Sequence, residues 1–157
     1  MGPLIGIYDS TNTSILGTWD AGTIKAQVPT TPLTVNIWNN KAGAADVSDL
    51  KSPEIAVFDY NGLTADTDVP KDKWVQVYVA SVDGSTPSYT AIGGSVTKTF
   101  RANSNVGTEY VIKGTANDGD PLAYPQNVAT VNIRLEAPIN SIPGDKTFKI
   151  RIIGYYT

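Results

Sequence analysis

The sequence predicts an all-β protein, an antiparallel sandwich or barrel with little helix, and three observations predict it. Apolar residues recur at every second position in run after run, the pattern of a strand with one face on a core. Between the runs lie clusters of Gly, Pro, Asn, Asp and Ser, the residues that turns require: DSTNTS, VPTTP, DYNGLTADTDVPKD, SVDGSTPS, NSNVG, NDGDPLAYPQ and INSIPGD. Among fifteen acidic residues only Glu54, Glu109 and Glu136 are Glu, and the rest are Asp, which favours turns where Glu favours helices. At 157 residues the chain fits one domain and can bury a core without a disulfide or metal staple.

Taken in order, MGPLIGIY alternates Ile5 with Ile7. It reads as the first edge strand, or as an arm that adds a strand to a partner's sheet. A short run at 15–19 follows. In LTVNIW, Leu33, Val35 and Ile37 share one face and Thr34, Asn36 and Trp38 the other. Residues 44–51, KAGAADVSDLK with its leading Lys41–Gly43 stretch trimmed, offer one helical turn with Asp46 near its start, or a solvated loop. Runs at 54–58, 89–92, 96–100 and 109–113 are further short strands. In WVQVYV, Val75, Val77 and Val79 oppose Trp74, Gln76 and Tyr78. Gly93-Gly94-Ser95 lies between two of these runs as a hairpin turn. In VATVNIRL, Ala129, Val131, Ile133 and Leu135 share a face, and in KTFKIRIIGYY, Phe148, Ile150 and Ile152 oppose Lys149 and Arg151. Eight to ten strands result, and no segment carries a sustained 3.6-residue apolar period.

Composition excludes whole classes of chemistry. The chain has no Cys and no His, so disulfide frameworks, zinc fingers, Cys-His proteases, Ser-His-Asp hydrolases and haem attachment are ruled out. With net charge −3, a sequence pI near 4.8 and singly scattered Lys and Arg, it offers no basic stripe for a phosphate backbone, which argues against nucleic acid. No run of 18 apolar residues occurs and the start has no basic n-region, so the reading is a soluble chain with no membrane partner and no export signal. The Met1-Gly2 start fails as a myristoylation motif because position 6 is Gly. Asn12-Thr13-Ser14 is a glycosylation sequon without a secretory context.

The remaining candidates for chemistry are few. Asp66-Thr67-Asp68 and Asn117-Asp118-Gly119-Asp120 could supply oxygen ligands to Ca²⁺, but neither has EF-hand spacing, and Asx residues in loops ordinarily cap their own turns. A glycosidase needs two carboxylates roughly 5–10 Å apart across a cleft, whereas the three Glu residues fall on or beside strands. There is no Walker A pattern. The reading is therefore non-enzymatic, without metal or cofactor. Trp38, Trp74 and Tyr78 lie on the polar phase of their strands. They form an exposed platform for a sugar or a protein partner, or are covered by the long middle of the chain. Tyr155-Tyr156 packs on a neighbouring subunit or simply ends the last strand. The candidate partner-binding residues are thus Ile5, Ile7, Trp38, Trp74, Tyr78, Tyr155 and Tyr156.

The stretch WDAGTIKAQVPTTPLTVNIWNNKAGAADVSDL resembles the opening of the immunoglobulin-like ASPM–SPD-2–Hydin type of domain. Gly22-Thr23-Ile24 matches its first strand, Pro29-Thr30-Thr31-Pro32 its polar turn, and residues 33–39 its following strand. The carboxyl end, with Pro138 and Pro143-Gly144 punctuating two alternating strands, is similar to that family's close. Residues 71–125 depart from the pattern as a long middle excursion. The resemblance implies a non-catalytic immunoglobulin-like β-sandwich module. The closing PGDKTFKIRIIGYY also resembles small phage virion proteins, capsid decoration proteins and tail accessory modules above all. That likeness implies a structural protein folded in the host cytoplasm and docked on the virion surface against the major capsid protein or a tail protein, as a homo-oligomer such as a trimer. The alternative is a carbohydrate-binding or cell-surface adhesion module.

Overall fold

The computed structural model describes residues 1–62, 64–104 and 109–157. It is an antiparallel β-sandwich. The strands are β1 (Ile5–Asp9), β2 (Leu33–Asn39), β3 (Leu50–Phe58), β4 (Val75–Tyr78), β5 (Thr90–Ile92), β6 (Lys98–Thr99), β7 (Val111–Ile112), β8 (Val128–Leu135) and β9 (Lys149–Tyr155). Two single-turn helices, α1 (Asp68–Lys71) and α2 (Ala80–Asp83), and a 3-10 turn at Pro125–Asn127 complete the elements.

One sheet has the order β1-β2-β8-β4-β5. At its centre β2 and β8 align Leu33 with Ile133, Val35 with Val131 and Ile37 with Ala129, so the aliphatic phase of both strands meets on the inner face. The other phase is polar and self-satisfied: Thr34 donates to Asn132 at 2.8 Å, and Thr130 donates to Asn36 at 2.7 Å.

The second sheet is built on β3. Along one side β3 pairs with β9 over its length, and along the other with β6 at Glu54 and Ile55 and with β7 at Leu50 and Lys51. The break falls at Ser52, whose φ is +46°, and Pro53 follows it. A bulge is where a sheet tolerates a proline that cannot donate, and this one lets β3 begin at Leu50, earlier than the run at 54–58 suggests.

The chain changes sheet repeatedly. Residues 71–125 supply β4 and β5 to the first sheet and β6 and β7 to the second. The step from β5 to β6 is the two-residue loop Gly94-Ser95, closed by reciprocal backbone bonds between Gly93 and Val96. Gly93 has φ +147°, and a Cβ there would stand 2.1 Å from the Pro70 carbonyl oxygen. No other residue fits. Val35, Ile37, Ile55, Val57, Val75, Val77, Phe100, Ile112, Val131 and Leu135, drawn from both sheets, share one continuous core.

One expectation changes and one open choice is decided. Residues 15–19 form no strand, only a bridge from Ile15 to Tyr8. Residues 44–49 are irregular and not helical, while short helices form at 68–71 and 80–83 instead. The NSNVG turn extends into residues outside the described ones.

One end of the sandwich is held by buried asparagines. Asn39, fully buried, accepts from the Leu4 amide and donates to the carbonyls of Ser48 and Ile112. It thereby ties the N-terminal segment, β2 and β7 together. Asn39→Ala orphans a donor and two acceptors, each costing about 1–3 kcal/mol when left unpaired in the interior. Urea unfolding should show a loss of at least that size, with the Leu4 amide exchanging faster than in the parent.

Candidate partner-binding edge and cleft

β9 carries the features that point outward. Its alternation turns Phe148, Ile150 and Ile152 to the core and leaves Lys149 and Arg151 exposed. Its one paired side faces β3. Among the described residues no backbone group of β9 bonds to any other element, so a seven-residue edge is unpaired. Such edges are ready templates for another strand.

Beside that edge the two sheets stand apart. A cleft of about 410 Å³ opens between β1 and β2 on one side and β9 on the other, with Ile7, Ile37, Ile55, Phe148, Ile150 and Ile152 among its lining. Trp19 guards it, packed edge-on against Phe148 at 6.3 Å. Lys146 on its rim is paired with Asp68 at 2.6 Å.

The loop after β3 braces the outer face of β9. Arg151 lies 5.0 Å over the Phe58 ring and donates to the Gly62 carbonyl at 2.9 Å, while Lys149 lies 5.7 Å from the Tyr60 ring. That loop is organised by Asp59, whose carboxylate accepts from the Thr64 and Thr67 hydroxyls and from the Asp66 and Thr67 amides. These donors, the Thr64 hydroxyl foremost, hold the Asp59 carboxyl down at about 2.

Both termini come to the same place. Ser48 donates through its amide and its hydroxyl to the Met1 carbonyl, Lys51 donates to Thr157 at 3.0 Å, and Gly2 lies against the Tyr156 ring. Tyr155 and Tyr156 are 56% and 59% exposed, and Ile153 is 39% exposed. Ile7 lines the cleft, and Ile5 shares its face of β1. Residues 5–9 are a strand of this domain: β1 pairs with β2, and its outer edge is covered where Leu16 donates to Ile7 and Asp9 to Ser14.

The exposed aromatic platform does not form. Trp38 has no exposed surface and donates through Nε1 to Asn12, because the loop after β1 folds over the outer face of β2. Tyr78 donates to the Gly84 carbonyl at 2.6 Å and stacks near Tyr89, covered by the turn that follows α2. Trp74 joins the core cluster. Rings on the polar phase of a strand are thus buried, the covered arrangement that the sequence also allowed.

Carboxylates in the acidic loops are occupied by turn chemistry: Asp118 accepts from the Asp120 amide and Asp120 from the Leu122 amide. Among the described residues no cluster of acidic side chains could hold a metal ion. Two Ser-x-x-Lys spacings, Ser48 with Lys51 and Ser95 with Lys98, escape the reading of the sequence given above. Ser48 donates to Met1, Lys51 to Thr157, and Lys98 is paired with Asp83 at 2.5 Å. Neither serine–lysine pair shares a hydrogen bond.

The sequence reading missed Lys149, Arg151, Ile153 and Trp19. The alternation of KTFKIRIIGYY already separated the two cations from the aliphatic phase, but nothing local says that the strand lies at an edge. Compared with known proteins, the chain matches no family model and no curated sequence.

Two outcomes follow from these contacts. Trp38→Ala removes a fully buried indole and leaves Asn12 without its donor, which should cost about 3–5 kcal/mol in chemical unfolding. For Asp59, the folded carboxyl titrates near 2 and the unfolded one near 3.8. The stability it contributes is complete above the unfolded value and is lost as the pH falls from about 4 toward 2. In Asp59→Asn this acid-dependent part should disappear, and NMR signals of the loop and of Arg151 should no longer shift through that window.

Proposed function

We propose that this protein is a non-enzymatic structural component of a phage virion, a decoration protein that docks on the lattice of the major capsid protein, or of a tail protein, through shape complementarity and edge-strand contacts. The observation that carries the reading is the unpaired edge of β9, which runs into exposed Tyr155 and Tyr156 beside the N-terminal segment. A contiguous surface with exposed aromatic anchors next to an open strand edge is suited to adding onto another sheet.

Repetition supports the same reading. On a lattice many copies dock at once, so a modest contact at each site suffices when the copies are themselves linked as a homo-oligomer such as a trimer. The immunoglobulin-like version of the sandwich, location on the virion surface and folding in the host cytoplasm belong to this proposal. A chain with no Cys, held by packing and buried amides, suits assembly in a reducing compartment.

The test is co-sedimentation of the purified protein with particles of the encoding phage from which it has been depleted. Saturable binding to capsids or tails is expected, weakened at least tenfold by the exposed double substitution Tyr155→Ser with Tyr156→Ser. Absence of binding to both capsids and tails overturns the proposal.

A further inference from the structure

The unpaired edge and the cleft adjoin, and together they specify what can bind. We infer that β9 accepts an extended segment of a partner protein as an added strand, in which apolar side chains alternate with acidic ones. This inference rests on the docking reading above only for the origin of the partner, since the chemistry is set by β9 itself.

Seven residues of strand present about 23 Å of edge at 3.3 Å per residue, enough to align a partner segment by main-chain bonds alone. Directly opposed residues of neighbouring strands point to the same face. Residues of the added strand opposite Ile150 and Ile152 would therefore point inward, to the cleft that these side chains already line together with Ile37 and Ile55. The floor of that volume is aliphatic, with Ile37 and Ile55 almost completely buried. Most of the lining is apolar, so apolar side chains suit the inward phase of the segment better than charged or amide ones.

The outward phase is decided by charge. Residues opposite Lys149 and Arg151 would face two cations that, among the described residues, have no carboxylate partner: Lys149 lies over Tyr60, and Arg151 is engaged by Phe58 and the Gly62 carbonyl. Lys51, whose position pairs with Tyr155, extends this outer face, while Lys146 lies on the cleft rim and is already paired with Asp68. Arg151 is also held in place by its stacking and its bond to Gly62, so its guanidinium is oriented before a partner arrives. An acidic outward phase complements this row, and a basic one would be repelled by it. Ile153 and Tyr155 continue the outer face of β9 as exposed side chains without charge, so Lys149 and Arg151 alone set the sign of that strand.

The experiment uses the full chain and a capped peptide of about nine residues alternating valine with aspartate, long enough to span the edge. Controls are the same peptide with lysine for aspartate, and the aspartate peptide N-methylated at alternate amides. Binding is read from amide shifts in the NMR spectrum and from the fluorescence of Trp19 at the cleft. The aspartate peptide should shift the amides of β9, bind at least tenfold more tightly than the lysine peptide and weaken with added salt. N-methylation on the pairing edge should abolish binding. The double substitution Lys149→Glu with Arg151→Glu, both exposed, should reverse the preference between the two peptides.

Equal binding of the two peptides overturns the charge rule. Retained binding after N-methylation overturns strand addition. No binding by any peptide, or shifts confined to another surface, overturns the inference altogether. Concentration-dependent dimerisation without peptide, with shifts on β9, assigns the edge to a second copy of this chain and overturns it equally. Particle binding that persists when every peptide fails would leave the docking proposal standing while removing this one.

Discussion

The buried carboxamide of Asn39 is the contact on which the most separate parts of this fold depend. It bonds at once to the backbone of the N-terminal segment, the loop before β3 and β7, and so joins the two sheets at a point where no aliphatic side chain could satisfy three main-chain groups. Its neighbours extend the same device. Asn40 donates to the carbonyls of Ala45 and Gly114, Asn117 donates to the carbonyl of Asn40, and Asn127 donates to that of Thr115. In a chain without disulfides, amides that each hold two or three backbone groups do the work of covalent staples in loops too polar to form a core.

That arrangement also explains the strained residues nearby. Asn40 and Ala42 have φ of +63° and +54°, which a residue other than Gly adopts only where its surroundings over-determine it. Here the Ala42 amide is bound by the Asn117 side chain. Asp59 plays the matching part in the loop that supports β9, drawing four donors onto one carboxylate. In both loops a single polar side chain closes the backbone on itself, and the outward surfaces inherit their shape from that closure.

The proposed docking surface follows from what the fold leaves unfinished. β1 ends the first sheet but is covered along its outer edge by residues 14–16, whereas β9 ends the second sheet uncovered. The segment between β1 and β2 brings Trp19 to the cleft without filling it. Of the two long edge strands, β1 is covered and β9 is open, and β9 carries the cations Lys149 and Arg151 on its outer face. Charged side chains on an edge ordinarily discourage random pairing. On this edge they also select which strand can pair.

Much of this was legible in the sequence, and the reason is the period. Alternation over 33–39, 75–78, 128–135 and 149–155 set strand, inner face and core residues together, because a strand offers side chains to only two directions. The missing Cys and His columns removed whole families of chemistry for the equally local reason that the atoms are absent. The sequence could not say that Trp38 and Tyr78 would be covered, since their cover comes from loops brought over the outer face by tertiary folding. It could not say that β3 would extend through Pro53, since the bulge depends on two different strands sharing one edge. Least of all could it show that β9 ends its sheet: whether a strand is central or terminal is a relation among strands far apart in the chain. The sequence by itself determined strands, faces and the absence of thiol and imidazole chemistry. Tertiary structure alone decided which edge stayed open, because a backbone donor is free or paired only in the presence of its neighbours.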